Sequence, residues 1–282
     1  MAKRKSAPVS RKKKTPTSVR NHSIHTSIKE RNIILSVAAG VLILMTLLHK
    51  TGLFKNLDSY NADRFYLENK VYKIKIPTLY NIHGIDVSQH QGKINWPKMI
   101  QNMDQSPTLD FVFIKACEGR TLIDDYFRYN WKEAGRLGMI RGAYHYLLPN
   151  KSGEDQAQLF LKTVDLQKGD LVPVCDIEIT GGANKSTIVK NTKEWLQTIE
   201  KAVGKKPIIY SGKKFYEKYL ADDFSDYVLW IAHYHVPELE LETNDQWTFW
   251  QHNDSGHLRG VNHKVDFNVF HGTREEFNRL RI

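Results

Sequence analysis

Asp176 and Glu178 close a short apolar run, Val172-Pro173-Val174-Cys175-Asp176-Ile177-Glu178, at the spacing that puts two side chains on one face of a strand. Residues i and i+2 of a strand stand about 6.6 Å apart. Two acids that close in a partly buried site do not both ionise freely, so one keeps its proton towards neutral pH and can donate it. Paired acids of this kind cleave acetals, with glycosides the leading candidate. By composition alone about one D-x-E is expected in a chain of this length. A strand end carrying solvated charges explains the tripeptide equally well in isolation, so its surroundings decide.

Those surroundings are regular. From Ile82 onward the chain repeats an apolar run, a polar residue or two, and a helical stretch. The runs are Ile82–Val87, Phe111–Cys117, Ile140–Leu147, Val172–Ile177, Pro207–Tyr210, Val228–Ala232, Thr248–Gln251 and Val265–Val269. Helices are predicted over Trp96–Met103, Tyr126–Leu137, Gly153–Thr163, Thr187–Val203 and Lys213–Leu220. Alternating strand and helix argues for an α/β fold with a parallel sheet. The last gaps are too short or too rich in Gly and Asn for crossover helices. The expectation is therefore a modified TIM-like (β/α) barrel over 81–282, with regular βα units first and few or short helices among the last strands. A doubly wound open sheet is the alternative, but Ser88-Gln89-His90-Gln91-Gly92 after the first strand is no G-x-G-x-x-G phosphate loop.

In such a barrel the working residues lie at the C-terminal ends of the strands. Reading those ends in order gives Asp86, Glu118, Tyr144, His145, Tyr146, Asp176 with Glu178, Tyr210, Trp230 with Tyr234, Gln251 and Asp266. Acids supply proton transfer and aromatic faces stack on sugar rings, which is what a glycosidase cleft requires. Some members have plainer readings. Glu118 has an ion-pair partner in Lys115, His145 suits a satisfied core position, and Trp230 lies inside its strand. Ser211 has no partners for a nucleophilic triad.

The formal charge of +10 suggests nucleic acid until it is located. Residues 1–31 hold ten Lys/Arg against one acid, Glu30, which leaves 31 basic and 30 acidic side chains in the rest. The folded part is thus nearly neutral and no nucleic-acid partner is expected. The basic tail, 1–31, lacks core-forming residues and is expected to be disordered. Between Arg31 and Lys50 lie 18 residues free of Asp, Glu, Lys and Arg. As a helix they span about 27 Å, sufficient for a bilayer. The expectation is an uncleaved transmembrane signal anchor over 32–50, N-terminus cytoplasmic and the remainder exported. A cleavable signal peptide is the rival, but the n-region is long for one. Residues 51–80 read as a spacer whose Val71–Ile76 segment alternates like an edge strand. Cys117 and Cys175 read as small buried residues, not a disulfide. His233-x-His235 lacks a third ligand at zinc-like spacing, so no metal or other cofactor is expected. The catalytic domain is expected to be monomeric.

Taken together, His83-Gly84-Ile85-Asp86-Val87-Ser88-x-x-Gln91-Gly92-x-Ile94-Asn95-Trp96, Phe113-Ile114-Lys115-Ala116-Cys117-Glu118-Gly119, Gly142-Ala143-Tyr144-His145-Tyr146, Asp176-Ile177-Glu178, Leu229-Trp230-Ile231-Ala232 and Trp250-Gln251 with Val265-Asp266-x-Asn268-Val269-Phe270 resemble the glycoside hydrolase family 25 lysozymes, or N-acetylmuramidases. The resemblance runs from about Ile82 to Thr273. It implies cleavage of the β-1,4 bond between N-acetylmuramic acid and N-acetylglucosamine in peptidoglycan strands. It further implies that Glu178 is the proton donor, that Asp176 assists the substrate acetamido group or acts as base, and that Asp86 and Asp266 complete the acidic site. Glu118, Tyr144, His145, Tyr146, Tyr210, Trp230, Tyr234 and Gln251 are then the candidate substrate-binding set. Three residues depart from the family pattern: His252 where an aromatic is usual, His233 where Arg is common, and Cys117 where Thr is common. The competing class is a non-catalytic wall-binding or scaffold protein on a hydrolase fold. A chitinase is a poorer third.

Overall fold

The computed structural model describes residues 65–101 and 107–282. The expected basic tail, the expected membrane helix over 32–50 and the start of the spacer lie outside those residues. Among the described residues no helix is long and apolar enough to cross a membrane.

All eight predicted strand positions are occupied. They are β3 (Ile82–Val87), β4 (Leu109–Glu118), β6 (Ile140–Tyr146), β7 (Val174–Asp176), β8 (Ile208–Gly212), β9 (Val228–Ala232), β10 (Phe249–Gly256) and β11 (Val265–Phe270). Ahead of them come β1 (Tyr66–Asn69) and β2 (Ile74–Pro77), and β5 (Leu122–Ile123) extends β4 at its far end. The sheet order β3-β11-β10-β9-β8-β7-β6-β4, with β3 also paired to β4, closes an eight-stranded barrel. Seven strands run parallel, but β11 is antiparallel to both β10 and β3. The expectation of a parallel sheet fails there for a geometric reason. Only residues 257–264 separate β10 from β11, and a parallel return needs a dozen or more residues.

Strand alternation divides the apolar residues into two layers. The outward set packs under the helices α1 (Trp96–Ile100), α2 (Phe127–Arg136), α3 (Gly153–Thr163), α4 (Lys185–Val203), α5 (Lys213–Tyr219) and α6 (Ala221–Phe224). Local chemistry fixes their limits: Ser152 and Asn184 cap α3 and α4 by accepting from Asp155 N and Thr187 N, and Gly204 ends α4 in the left-handed conformation. The inward set fills the lumen with Phe111, Phe113, Trp230, Phe249 and Phe270, and Phe277 of α7 (Arg274–Arg279) plugs the end away from the mouth. Phe111 and Phe113 lie across Gly84 and Gly142 of the flanking strands, where an added Cβ would come within 2.4 and 2.5 Å of the rings. Glycine is required there by the close approach.

The segment read as a spacer strand forms a hairpin of its own. Val71–Lys73 make the turn, and Ile74–Pro77 pair with Tyr66–Asn69 in a separate two-stranded sheet. Tyr72 fastens the hairpin to the barrel: its hydroxyl donates to Pro107 O at 3.0 Å, its ring meets Phe267 at 5.0 Å, and its carbonyl accepts from His257 N.

Candidate active site

Along several strands the inward residues change from apolar to polar as the mouth is approached. On β3 the sequence is Ile82, Gly84, Asp86; on β7, Val174 then Asp176; on β10, Phe249 then Gln251. On β11 the order is reversed, with Asp266 first, then Asn268 and Phe270. Asp266 stands opposite Asp86 in register. It was read as a C-terminal strand-end residue and is in fact near the start of its strand. It reaches the mouth because β11 runs backwards.

The polar ends surround a hollow of about 200 Å³. Asp86, Tyr144, Asp176, Glu178, Tyr210, Trp230, Tyr234, Gln251 and Asp266 of the expected set line it, joined by Ser88, His90 and Gln91. On one wall, Asp86 is buried and its Oδ2 accepts from Gln251 Nε2 and Asn268 Nδ2, both at 2.7 Å. Gln251 Oε1 accepts from the hydroxyls of Tyr210 (2.7 Å) and Tyr234 (2.6 Å), while Asn268 Oδ1 accepts from Trp230 Nε1 at 2.8 Å. Burial and the neighbouring Asp266 raise the Asp86 pKa well above the usual carboxylate range, and the two amide donors oppose that rise. Asp266 is pushed up to about 7, by burial first and then by Asp254 and Glu178.

Asp176 ends β7, four strands round the barrel from β11, and Glu178 follows two residues beyond the strand's end, where the sequence expects both acids on one strand. Asp176 is buried, and its Oδ1 has no hydrogen-bond partner among the described residues. Glu178 is exposed as a residue, but its carboxyl is crowded by protein at the head of the hollow. The two carboxyls act on one another, and burial raises both pKa values. Asp176 is raised further, because Glu178 adds like charge beside a more enclosed group. The pair therefore keeps a proton towards neutral pH and titrates as a unit.

Three expected binding residues stand elsewhere. His145 is fully buried on the outward side of β6, between the inward-facing Tyr144 and Tyr146. Its Nδ1 lies 3.1 Å from Cys117 Sγ and its Nε2 lies 3.3 Å from Gln156 Oε1, with Phe160 and Trp195 against the ring. Strand alternation makes it a core residue, and burial lowers its pKa to about 3. Glu118 pairs with Lys115 at 2.7 Å beside the hollow, not in its lining. A bulge between Lys115 and Cys117 shifts the alternation by one, which returns Glu118 to the lumen side and leaves Cys117 outward. Tyr146 also lies beyond the lining, under the Lys115 ammonium, which is 4.9 Å from its ring centroid. Trp230 lines the hollow but is not a solvent-facing platform: it is 2 % exposed, stacked on Phe113 at 4.5 Å.

Lys115 is a residue the strand-end reading passed over. It is buried, and its charge acts on both Asp176 and Glu178, lowering each against the effect of burial. Its signal was present, since it shares the inward face with Phe113. Asn268 was missed similarly, two residues from Asp266 on one strand face. Ser211 is buried and donates to Ile177 O at 2.7 Å, a structural bond. Both cysteines are free and buried. His233 and His235 do not share a strand face, because β9 ends at Ala232 and His235 lies in a turn with φ 56°. Among the described residues no three His, Cys, Asp or Glu side chains are grouped to hold a metal.

Comparison with known proteins matches a family model described as "Glycosyl hydrolases family 25" to residues 85–261. The protein "Uncharacterized protein YegX" of Escherichia coli (strain K12) is 46% identical over 213 residues, 75% of this chain and 77% of that protein. "Lysozyme M1" of Streptomyces globisporus is 31% identical over 206 residues, 68% of each chain. Among solved structures, a family 25 glycosyl hydrolase from Bacillus anthracis is similar with a TM-score of 0.64 at 31% identity, covering 72% of this chain and 95% of that one. A bacterial lysozyme from Streptomyces coelicolor gives a TM-score of 0.62 at 29% identity, covering 71% and 96%.

Proposed function

We propose a reaction that proceeds from one premise: this chain belongs to the glycosyl hydrolases of family 25, and it is a glycoside hydrolase of the muramidase kind. The reaction is hydrolysis of the β-1,4 bond between N-acetylmuramic acid and N-acetylglucosamine in peptidoglycan. Glu178 donates the proton to the leaving oxygen, and Asp176 holds the acetamido group of the sugar being cleaved.

The observation that carries this reading is the unpartnered Oδ1 of Asp176, enclosed beside a second raised carboxyl at the head of the hollow. A buried acceptor without a donor is costly. An acetamido N–H supplies that donor, and a hydrogen bond to the ionised form lowers a carboxyl pKa. Substrate binding then favours an ionised Asp176 with the pair's proton on Glu178, which stands at the open edge where a glycosidic oxygen can reach it. The ionised Asp176 in turn orients the acetamido oxygen towards the anomeric carbon. Both acids come from the end of β7 and the residues just after it and sit on one wall, which favours assistance by the substrate over a separate protein nucleophile. The supporting aromatic groups are Tyr144, Tyr210 and Tyr234, whose hydroxyls and ring edges line the same hollow.

Mass spectrometry of the products released from peptidoglycan tests this directly. Reducing-end N-acetylmuramic acid is expected; reducing-end N-acetylglucosamine would overturn the bond assignment. Product anomeric configuration tests the assisted route, for which retention is expected and inversion fatal. A signal anchor over 32–50 would place the hydrolase on the outer side of the cytoplasmic membrane, where its polymer lies. Fractionation of cells expressing the full chain checks that placement: recovery in the cytosol contradicts it.

A further inference from the structure

Asp176 and Glu178 are held in place by different means. Asp176 is the last residue of the β7 ladder, in register with Tyr146 of β6 and Tyr210 of β8, and its carbonyl accepts from Leu147 N at 2.7 Å. Glu178 lies two residues past that ladder. The residue between them, Ile177, is tied on the β8 side. Its N donates to Tyr210 O at 3.0 Å, and its O accepts from the Ser211 hydroxyl at 2.7 Å. Beyond Glu178 the main chain is next tied at Thr180, whose O accepts from Ala183 N at 2.8 Å, and Gly181 and Gly182 follow with φ 54° and 79°. Two glycines make that side a poor anchor. The place of Glu178 is therefore set from Ile177.

Ser211 is out of character with its surroundings. It stands on the outward side of β8, in the apolar layer beneath the helices, where Ile177, Ile209 and Ile231 are all fully buried. Ser211 is fully buried with them, fixed in the ladder opposite Ile231 of β9. A hydroxyl in such a layer costs free energy unless it is bonded, and alanine would fill nearly the same space without that cost. Its bond goes to the carbonyl that precedes Glu178. Main-chain pairing between β7 and β8 ends with Asp176 opposite Tyr210, so a side-chain donor carries the strand one residue further.

We propose that Ser211 is a positioning residue for the proton donor: its hydroxyl extends β7 past its last ladder pair and so fixes where the Glu178 carboxyl stands against the glycosidic oxygen. The proposal deepens the proposed function and rests on its assignment of Glu178. A general acid works only within hydrogen-bond reach of the atom it protonates, and a misplacement of about 1 Å costs about 10²-fold in rate. Asp176 does not depend on this bond, because ladder pairs on both sides hold it. Loss of the hydroxyl thus displaces one acid of the pair and leaves the other.

The test is Ser211→Ala in the full-length protein, measured on two substrates that differ in their need for a proton. On glycan strands the leaving group is a sugar hydroxyl, which departs readily only when protonated. The 2,4-dinitrophenyl β-glycoside of N-acetylglucosaminyl-N-acetylmuramic acid releases a stable phenolate that needs no proton. The expected result is a kcat lowered about 10- to 30-fold on strands with KM unchanged, and a change below about twofold on the dinitrophenyl substrate. Ser211→Cys, whose thiol is a weaker donor, should fall between alanine and serine on strands. Glu178→Gln should show the same bias more strongly. Adding Ser211→Ala to it should cost less than about a further twofold, because a residue that acts through Glu178 then has nothing to act on. Ile199→Val, which thins the packing of α4 away from the mouth, controls for stability alone and should leave both rates unchanged. Equal losses on both substrates, no loss on either, or the full loss repeated in the Glu178→Gln background would overturn the proposal and leave hydrolysis standing. If the unaltered protein cleaves neither substrate, the hydrolytic reading fails and the role of Ser211 falls with it.

Discussion

The two acidic walls of the hollow each hold one buried carboxyl, Asp86 and Asp176, but are differently furnished. On the β3–β11 wall, Asp86 receives two amide donors on one oxygen, and those amides are themselves fixed by Tyr210, Tyr234 and Trp230. On the β7 wall, Asp176 keeps an enclosed oxygen with no donor among the described residues. A carboxyl whose charge is compensated by the fold holds one state whether or not substrate is present. One whose compensation is missing changes state when a ligand supplies it. The first wall is thus a fixed frame and the second is the responsive pair.

The sharpest way to break this contrast is Glu178→Gln. Loss of a general acid should cost about 10³-fold in kcat while strand binding is retained; an unaltered turnover would remove the β7 wall from the chemistry, and wall binding without turnover in the unaltered protein would favour a scaffold. Asp176→Asn should cost about 10²-fold. Its particular mark is the pH profile. Asp176 lowers the Glu178 pKa against the effect of burial, so its replacement should move the alkaline limb of activity to higher pH; a limb unchanged from the unaltered protein would contradict a shared proton.

On the frame wall the expected effect is on stability. Asn268→Ala removes the donor to Asp86 and the acceptor of Trp230 Nε1 in one step, and should cost about 1–3 kcal/mol in urea unfolding. A loss in kcat larger than the loss in stability would mean that this wall also responds to substrate. The smallest expected effect concerns Asp266. Its folded pKa of about 7 lies above the ordinary carboxyl value of 3.8, so it contributes stability in full below pH 3.8 that is lost as pH rises through 7. Asp266→Asn should therefore flatten the decline of Tm between pH 4 and 7, by about 3 °C or more. An identical slope in both proteins would show that Asp266 is not the group titrating.

Much of this was legible in the sequence because period-two patterning is a local property. Each of the eight apolar runs became a strand, and Gly153–Thr163 became a helix with those limits, marked by a serine cap. The acid pair on β7 was equally local. What failed depended on parity or direction. His145 sits between two inward tyrosines, which suggests a cleft residue, and alternation sends it the other way. Glu118 returns to the lumen side only through a bulge that no pattern of residue types announced. The hairpin at 66–77 looked like a strand laid on the barrel, since Asn69 Oδ1, which accepts from the Val71 and Tyr72 amides in the turn, gives a weak signal.

The sequence by itself determined which residues face together along the strands without bulges, because side-chain alternation needs nothing beyond the neighbours in the chain. It thereby set the β7 pair and the family to which the chain belongs. Only the tertiary structure decided which strand ends share a mouth. Asp266 begins its strand, and it meets Asp86 because eight residues between β10 and β11 are too few for a parallel crossover and force an antiparallel return. Closure of the barrel then decided which acid is given donors and which is left without, since Gln251, Asn268 and Asp86 come from three strands that meet only when the sheet closes.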